Sequence, residues 1–409
     1  MLGSFRSLAT IKKPSRAKTK IKTPQRKLKI LVFARFANRS GGAAVYTEGL
    51  AIHLAKLGHQ VHVFCHVASP EVHAVCDVSE FADQDYSQLC FVWRFRSLFY
   101  QRSCRQFLRQ QSDLSSDVII NSLPLSTRDL KRIFQNVPLV YLPHSRIAPI
   151  EATAQTSNSW LQHNFNRRMY SHWEKWSIIN AATTVRFTAD NEQSLREFYR
   201  LPQEADFEII PAPVEQFKIG EKTQVNRPVK LAVVSRLVAS KNLAWLLRTL
   251  ADLKNDHWQL VVAGDGPQRE SLQLQCRELN IEDQVTLLGF CEDVSSVYDA
   301  ADVHVFPSLR ESCGLVILEA MAFSVPTIAF RPDGQQIQTA SHKIIQHGEN
   351  GLLANNENEF RRLLADCIEH PERLLPLGKN GQEKANAHHR WSGVANVWES
   401  VLEKVVASH

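Results

Sequence analysis

Glu311 and Glu319 stand eight residues apart in the stretch DVHVFPSLRESCGLVILEAMAFSVPTIAF, residues 302–330. On one continuous helix they would be separated by more than two turns and could hardly share a ligand. Pro307, Ser308 and Gly314 mark a loop after a strand, however, so the helix is expected to begin near Cys313. Glu311 then lies in the loop and Glu319 on the second helical turn. Helical side chains lean toward the N-terminus, so Glu319 can point back at whatever the helix start holds. A helix start holds an anion well, on backbone N–H groups such as those of Gly314 and Leu315. Two carboxylates beside an anion site suit a ligand that carries both phosphate and hydroxyls. A nucleotide sugar has both.

Other residues are spaced for the same task. Arg236 and Lys241 in LAVVSRLVASKN flank a loop at the C-terminal end of a strand. Two cations there can clamp a diphosphate and stabilise it as a leaving group. Gly264 belongs to a glycine turn, VVAGDGP, at another strand end, and that turn is not GxGxxG. Gly41-Gly42 follows the first strand, where missing side chains permit close backbone approach. His144 in YLPHS ends a strand and so faces the same side. Asp83-Gln84-Asp85 imitates a metal-binding DxD but has no strand before it and reads as solvated loop acids. The eight cysteines show no CxxC and no metal-type spacing with histidines, so they read as reduced and mostly buried. His388-His389 reads as surface polarity near a helix.

The elements that must position these residues alternate. KLKILVFA is a short β-rich run, FANRSGGAA a loop, VYTEGLAIHLAKLGH an apolar-periodic helix and QVHVFCH the next strand. That order is a βαβ unit and implies a parallel sheet with helices on its faces. Further strands are expected at DVIINS, PLVYLPH, TTVRFT and FEIIPAP, with a helical, Trp-containing segment between His144 and Thr183. The pattern restarts after a Pro-containing polar stretch, with strands at VKLAVVS, WQLVVAG, QVTLLG, DVHVFPS and VPTIAF. The fold class is therefore α/β, with two doubly wound Rossmann-like domains facing each other across a cleft. The expected organisation is a basic tail at 1–29, a first domain at 30–212, a linker at 213–227, a second domain at 228–385 and a C-terminal helix within 386–409.

Charge is distributed unevenly. The 409 residues hold 48 Lys+Arg and 42 Asp+Glu, a formal charge of +6. Ten basic side chains and no acid fall within residues 1–29, which leaves the rest of the chain at about −4. The tail has no apolar core of the length a secretory signal needs, and no run of the chain is apolar enough to span a membrane. It reads as a solvated basic arm, as a contact for an anionic membrane surface, or as an organellar transit segment. A nucleic-acid partner is not expected, because the charge is confined to the tail. The body is expected to be cytoplasmic.

Together the quoted segments, with IIPAPVEQF (209–217), LGF (288–290), NGLL (350–353) and RWSGVANVW (390–398), resemble the retaining glycosyltransferases of family 4, which have the GT-B fold. The resemblance covers nearly all of the chain after residue 29. It implies that Arg236 and Lys241 bind the donor diphosphate and that Glu319 binds the nucleotide ribose. Glu311 would contact the transferred sugar, with Cys313, Gly314 and Leu315 beside it. Gly42 would approach the phosphates, Gly264 would line the donor site, and His144 would touch the donor sugar from the first domain. The implied chemistry is a front-face transfer, with no metal and no cofactor, from a nucleotide sugar to a glycan, lipid-linked or small-molecule acceptor. Alternatives are another GT-B enzyme such as a nucleotide-sugar epimerase, or a non-catalytic partner subunit. The chain departs from the family pattern at Cys313, where Phe is common, and at Ser324, where Gly is usual. Gln335 and Gln336 occupy a region where Gly-Gly and then Glu is frequent.

Overall fold

The computed structural model describes residues 26–39, 41–81, 104–144, 160–215, 222–311 and 313–409. Asp83-Gln84-Asp85 and the first 25 residues lie outside them.

Short β-branched and aliphatic runs, separated by amphipathic helices, form two parallel sheets. The first contains β1 (Lys29–Phe33), β2 (Gln60–Cys65), β3 (Asp77–Glu80), β4 (Val118–Asn121), β5 (Leu139–Tyr141), β6 (Thr183–Arg186) and β7 (Phe207–Ile209). Their order across the sheet is β3-β2-β1-β4-β5-β6-β7. The second contains β8 (Val229–Val234), β9 (Trp258–Ala263), β10 (Val285–Gly289), β11 (Val303–Phe306), β12 (Thr327–Phe330) and β13 (Gly351–Ala354), in the order β10-β9-β8-β11-β12-β13. Both sheets thus carry the doubly wound 3-2-1-4-5-6 order, whose crevice opens where the winding reverses beside the first strand. All the described pairings within these sheets are parallel, as with β1 on β2 from Lys29↔Gln60 to Phe33↔Phe64. Strands covered by helices on both faces must be apolar nearly throughout, and β4, β11 and β12 are buried at every position.

Each sheet has its own core on one face, one around Leu31, Phe33 and Ile119 and the other around Leu231, Leu246 and Phe330. A third cluster runs through both domains, from Tyr46 and Leu50 to Ile317, Met321 and Trp398. The Trp391–Ala407 helix makes this joint. It ends the chain after the second domain yet packs on the first. Trp398 is fully buried and donates its Nε1–H to Tyr46 Oη at 2.9 Å. His59 and Glu399 meet at 3.3 Å, both buried.

One boundary differs from the sequence reading. Residues 26–29, assigned there to the tail, belong to the first domain: Arg26 pairs with Asp117 at 2.8 Å, Leu28 is buried and Lys29 opens β1. A single acid, Asp117, just before β4, draws both Arg26 and the Lys29 amide to the N-terminal end of the neighbouring β1. The described part of the linker is fastened rather than loose, with Asn226 bonded to Asp302 at 2.9 Å and Val214 N–H donating to His389 O at 2.6 Å. Of His388-His389, His388 is exposed as expected, whereas the His389 ring is partly buried and bonds Ala212 O at 2.7 Å. The described cysteines are free, and most are buried. No helix among the described residues is long and apolar enough to cross a membrane.

Candidate active site

The site is assembled from loops at the C-terminal ends of the strands nearest the two winding reversals. After β11 the chain turns through Pro307–Glu311, and Gly314 starts the next helix in the left-handed region, φ 69°. A side chain there would be strained, and its Cβ would press on Ile317 and Ile344 at 3.2 Å. The helix is Leu315–Ala322, two residues later than the sequence suggested, with Gly314 as its N-cap. Glu319 therefore falls on the second turn and Glu311 in the loop, as expected. Tyr298 donates its hydroxyl to Glu319 Oε2 at 3.0 Å. Burial pushes the Glu319 carboxyl above its usual range, and the Tyr298 bond opposes that shift.

Lys241 and Glu311 meet directly, Nζ to Oε2 at 2.5 Å. Their loops are laced together, with Leu309 N–H on Ser240 O at 2.9 Å and Glu311 N–H on Gln338 O at 3.1 Å. Lys241 Nζ also lies 5.9 Å from the centre of the Phe306 ring, the last residue of β11. Arg236 stands on the same β8 loop and is exposed. Gly264 is placed beside that loop for a structural reason: a Cβ on it would sit 1.8 Å from the Ser235 carbonyl oxygen. Its glycine serves the approach of the 263–267 turn to Ser235, so the turn supports the Arg236 loop from behind.

The first domain contributes from across the cleft. A Cβ on Gly42 would lie 3.5 Å from Leu315 Cδ1, so the start of the Gly42–Lys56 helix abuts the start of the Leu315–Ala322 helix. His144 follows β5 and packs on the same first-domain helix, 5.5 Å from the Tyr46 ring and 3.5 Å from Thr47 Oγ1. Burial first, then the Arg186 charge, pushes its imidazole down to about 4, so it is neutral at ordinary pH. Cys313 is buried between the two glutamates; desolvation and Glu311 push its thiol far up, which keeps it protonated and a poor nucleophile. Ser324 takes a left-handed backbone, φ 56°, a conformation that favours glycine over a residue with a Cβ. Gln335 and Gln336 are exposed on the 331–338 loop, whose Gln338 reaches the Glu311 loop.

Comparison with known proteins fits this geometry. The family model described as glycosyltransferase family 4 matches residues 40–216, and the one described as glycosyl transferases group 1 matches residues 215–384. The chain belongs to glycosyltransferase family 4, on the GT-B fold. It resembles an uncharacterized glycosyltransferase of Haemophilus influenzae, 32% identical over 148 residues, 35% of this chain and 40% of that one. The chain thus spans under half the length of that relative. An MMP α-(1→4)-mannosyltransferase of Mycolicibacterium hassiacum is 24% identical over 92% of this chain and 98% of its own. Among solved structures, Anabaena HepE in complex with UDP and glucose superposes with a TM-score of 0.72 at 18% identity, covering 92% of this chain and all of that one.

Within this candidate site two residues escaped the sequence reading. Arg186 ends β6, is fully buried and donates Nη1–H to Pro143 O at 3.1 Å, directly behind His144. An arginine closing an otherwise uncharged strand, TTVR, was the available signal. Tyr298 lies in SSVYDA, a short helix with no motif of its own, and only the contact with Glu319 reveals it.

Proposed function

We propose that the chain is a retaining transferase that moves a sugar from a nucleoside-diphosphate sugar to a hydroxyl acceptor. The observation that carries this reading is the convergence of Lys241, Glu311 and Glu319 on one helix start that Gly42 closes from the other domain. Arg236 and Lys241 take the diphosphate, together with the backbone at Cys313, Gly314 and Leu315. Glu319 accepts from the ribose hydroxyls. Glu311 and the neutral His144 contact the sugar from opposite sides of the cleft. Transfer breaks the bond between the anomeric carbon and the β-phosphate oxygen and forms one from that carbon to the acceptor oxygen. The acceptor proton passes to the departing phosphate on the same face, so configuration is retained without an enzymic nucleophile.

Glu311 already engaged by Lys241 supports this assignment, since a carboxylate held by an ammonium is a weak nucleophile and a good sugar contact. Neither metal nor cofactor has a part in the scheme. The acceptor is a glycan, a lipid-linked saccharide or a small molecule, and the basic tail is assigned to an anionic membrane surface. Panels of UDP-, GDP- and ADP-sugars should reveal one donor that raises the melting temperature and is slowly hydrolysed. Lys241→Ala should lower transfer from that donor about 100- to 1000-fold, the usual loss of one leaving-group stabiliser, while the protein stays folded. Near-normal turnover by the folded variant would refute the site.

A further inference from the structure

Glu319 is a flexible side chain asked to meet a specific pair of hydroxyls, and the structure shows what holds it. Tyr298 comes from a different element, the Ser295–Ala300 helix after β10, and is fully buried. Its ring lies against Phe323, centroids 5.7 Å apart, and edge-on to His304 at 5.8 Å. Those neighbours leave the ring no room to swing. Its single O–H proton is shared between two acceptors, Glu319 Oε2 at 3.0 Å and the Val316 carbonyl at 3.1 Å. The second bond ties the phenol to the first turn of the very helix that carries Glu319.

We propose that Tyr298 is a positioning residue for donor binding, pinning Glu319 through Oε2 so that Oε1 is left to accept from the ribose of a nucleoside diphosphate. This rests on the reading of Glu319 given above. A glutamate side chain gives up substantial rotamer freedom when it is fixed. A partner that fixes it beforehand moves that loss out of the binding step and into folding. Tyr298 touches neither sugar nor phosphate in this scheme, so it acts on affinity and on ribose discrimination rather than on the bond-breaking step.

The test measures binding of UDP, GDP and ADP by calorimetry, then compares the tightest of them with its 2′-deoxy and 3′-deoxy forms. The native chain should prefer the ribonucleotide about tenfold or more over at least one deoxy form, as expected for a hydrogen bond to a charged group. Tyr298→Phe should weaken ribonucleotide binding about five- to twentyfold and erase most of that preference, with kcat at saturating donor changed less than about twofold. In a Glu319→Ala background the same substitution should add nothing. Retention of the full preference by Tyr298→Phe, or complete additivity with Glu319→Ala, overturns the role of Tyr298 and leaves that of Glu319 standing. A native chain that binds none of the three, or does not discriminate ribose from both deoxy forms, removes Glu319 from the ribose and the proposal with it. If Tyr298→Phe fails to fold, 3-fluorotyrosine placed at position 298 keeps the packing and strengthens the donor. It should hold or raise affinity, and a fall would overturn the proposal.

Discussion

At the scale of single residues, burial sets the protonation states on which the chemistry depends. His144 is held near 4 by desolvation and by Arg186, whereas an unfolded histidine titrates near 6.5. Because the folded value is depressed, the unfolded chain takes up the proton first, and stability is lost as pH falls from about 6.5 toward about 4. The loss from this one group is on the order of 2–3 kcal/mol across that window. His304, fully buried and pushed down to about 3, adds to it with the same sign. Urea unfolding of His144→Asn at pH 7 and pH 5 should show a smaller drop between the two than the native chain shows. An equal drop would mean that His144 takes its proton in the folded state after all. The neutral imidazole also means that the rate profile should have no limb from His144 above about pH 5, so its role at the sugar is that of a hydrogen-bonding partner and not of a cation.

At the scale of elements, the βαβ alternation was legible because doubly buried strands must be apolar, and runs such as VKLAVVS and WQLVVAG declare themselves. Glu311 and Glu319 were legible for a different reason: Pro307, Ser308 and Gly314 break the pattern between them and tell loop from helix. What could not be read was partnership across elements. Nothing in SSVYDA points to Glu319, and the Lys241–Glu311 pair joins residues 70 apart in sequence. Ser324 shows an element-level strain that the sequence only hinted at. Its left-handed backbone costs about 1–2 kcal/mol for a residue with a Cβ. Its Oγ is buried with no hydrogen-bond partner among the described residues, a further penalty of about 1 kcal/mol or more. Ser324→Gly loses some of this gain to the flexibility of glycine in the unfolded chain. The net expectation is a stabilisation of about 1 kcal/mol, seen as a higher denaturant midpoint with transfer unchanged. A destabilised glycine variant would show that the serine hydroxyl has a role that this geometry omits.

At the scale of the whole molecule, the charge partition sharpens once Arg26, Lys27 and Lys29 are counted with the first domain. Seven basic residues and no acid remain in residues 1–25, and the chain from 26 onward carries a formal charge of only about −1. Removing residues 2–25 should leave transfer to a soluble acceptor intact and weaken binding to phosphatidylserine vesicles by at least about tenfold at low salt, given about 1 kcal/mol for each basic residue near such a surface. Equal vesicle binding by both forms would leave those charges as plain solvation.

The two domains are joined by packing as well as by chain. The Trp391–Ala407 helix returns to the first domain, and Trp391 lies between His53, stacked at 5.0 Å, and Tyr46 at 5.4 Å. Gly49 on the Gly42–Lys56 helix makes this possible, since a Cβ there would fall 2.3 Å from Trp391 Cζ2. The indole is buried and flanked on both sides, so it cannot yield cheaply. Gly49→Ala must therefore push the C-terminal helix off the first domain or distort the helix that begins at Gly42. Overpacking of this kind costs about 1–3 kcal/mol. The helix that carries Gly49 also sets Gly42 against Leu315, so either response disturbs that contact and the same substitution should also raise the KM for the donor. Gly49→Ser should do both more severely. Unchanged stability and an unchanged donor KM in Gly49→Ala would show that the C-terminal helix is not what sets the spacing of the two domains at the site.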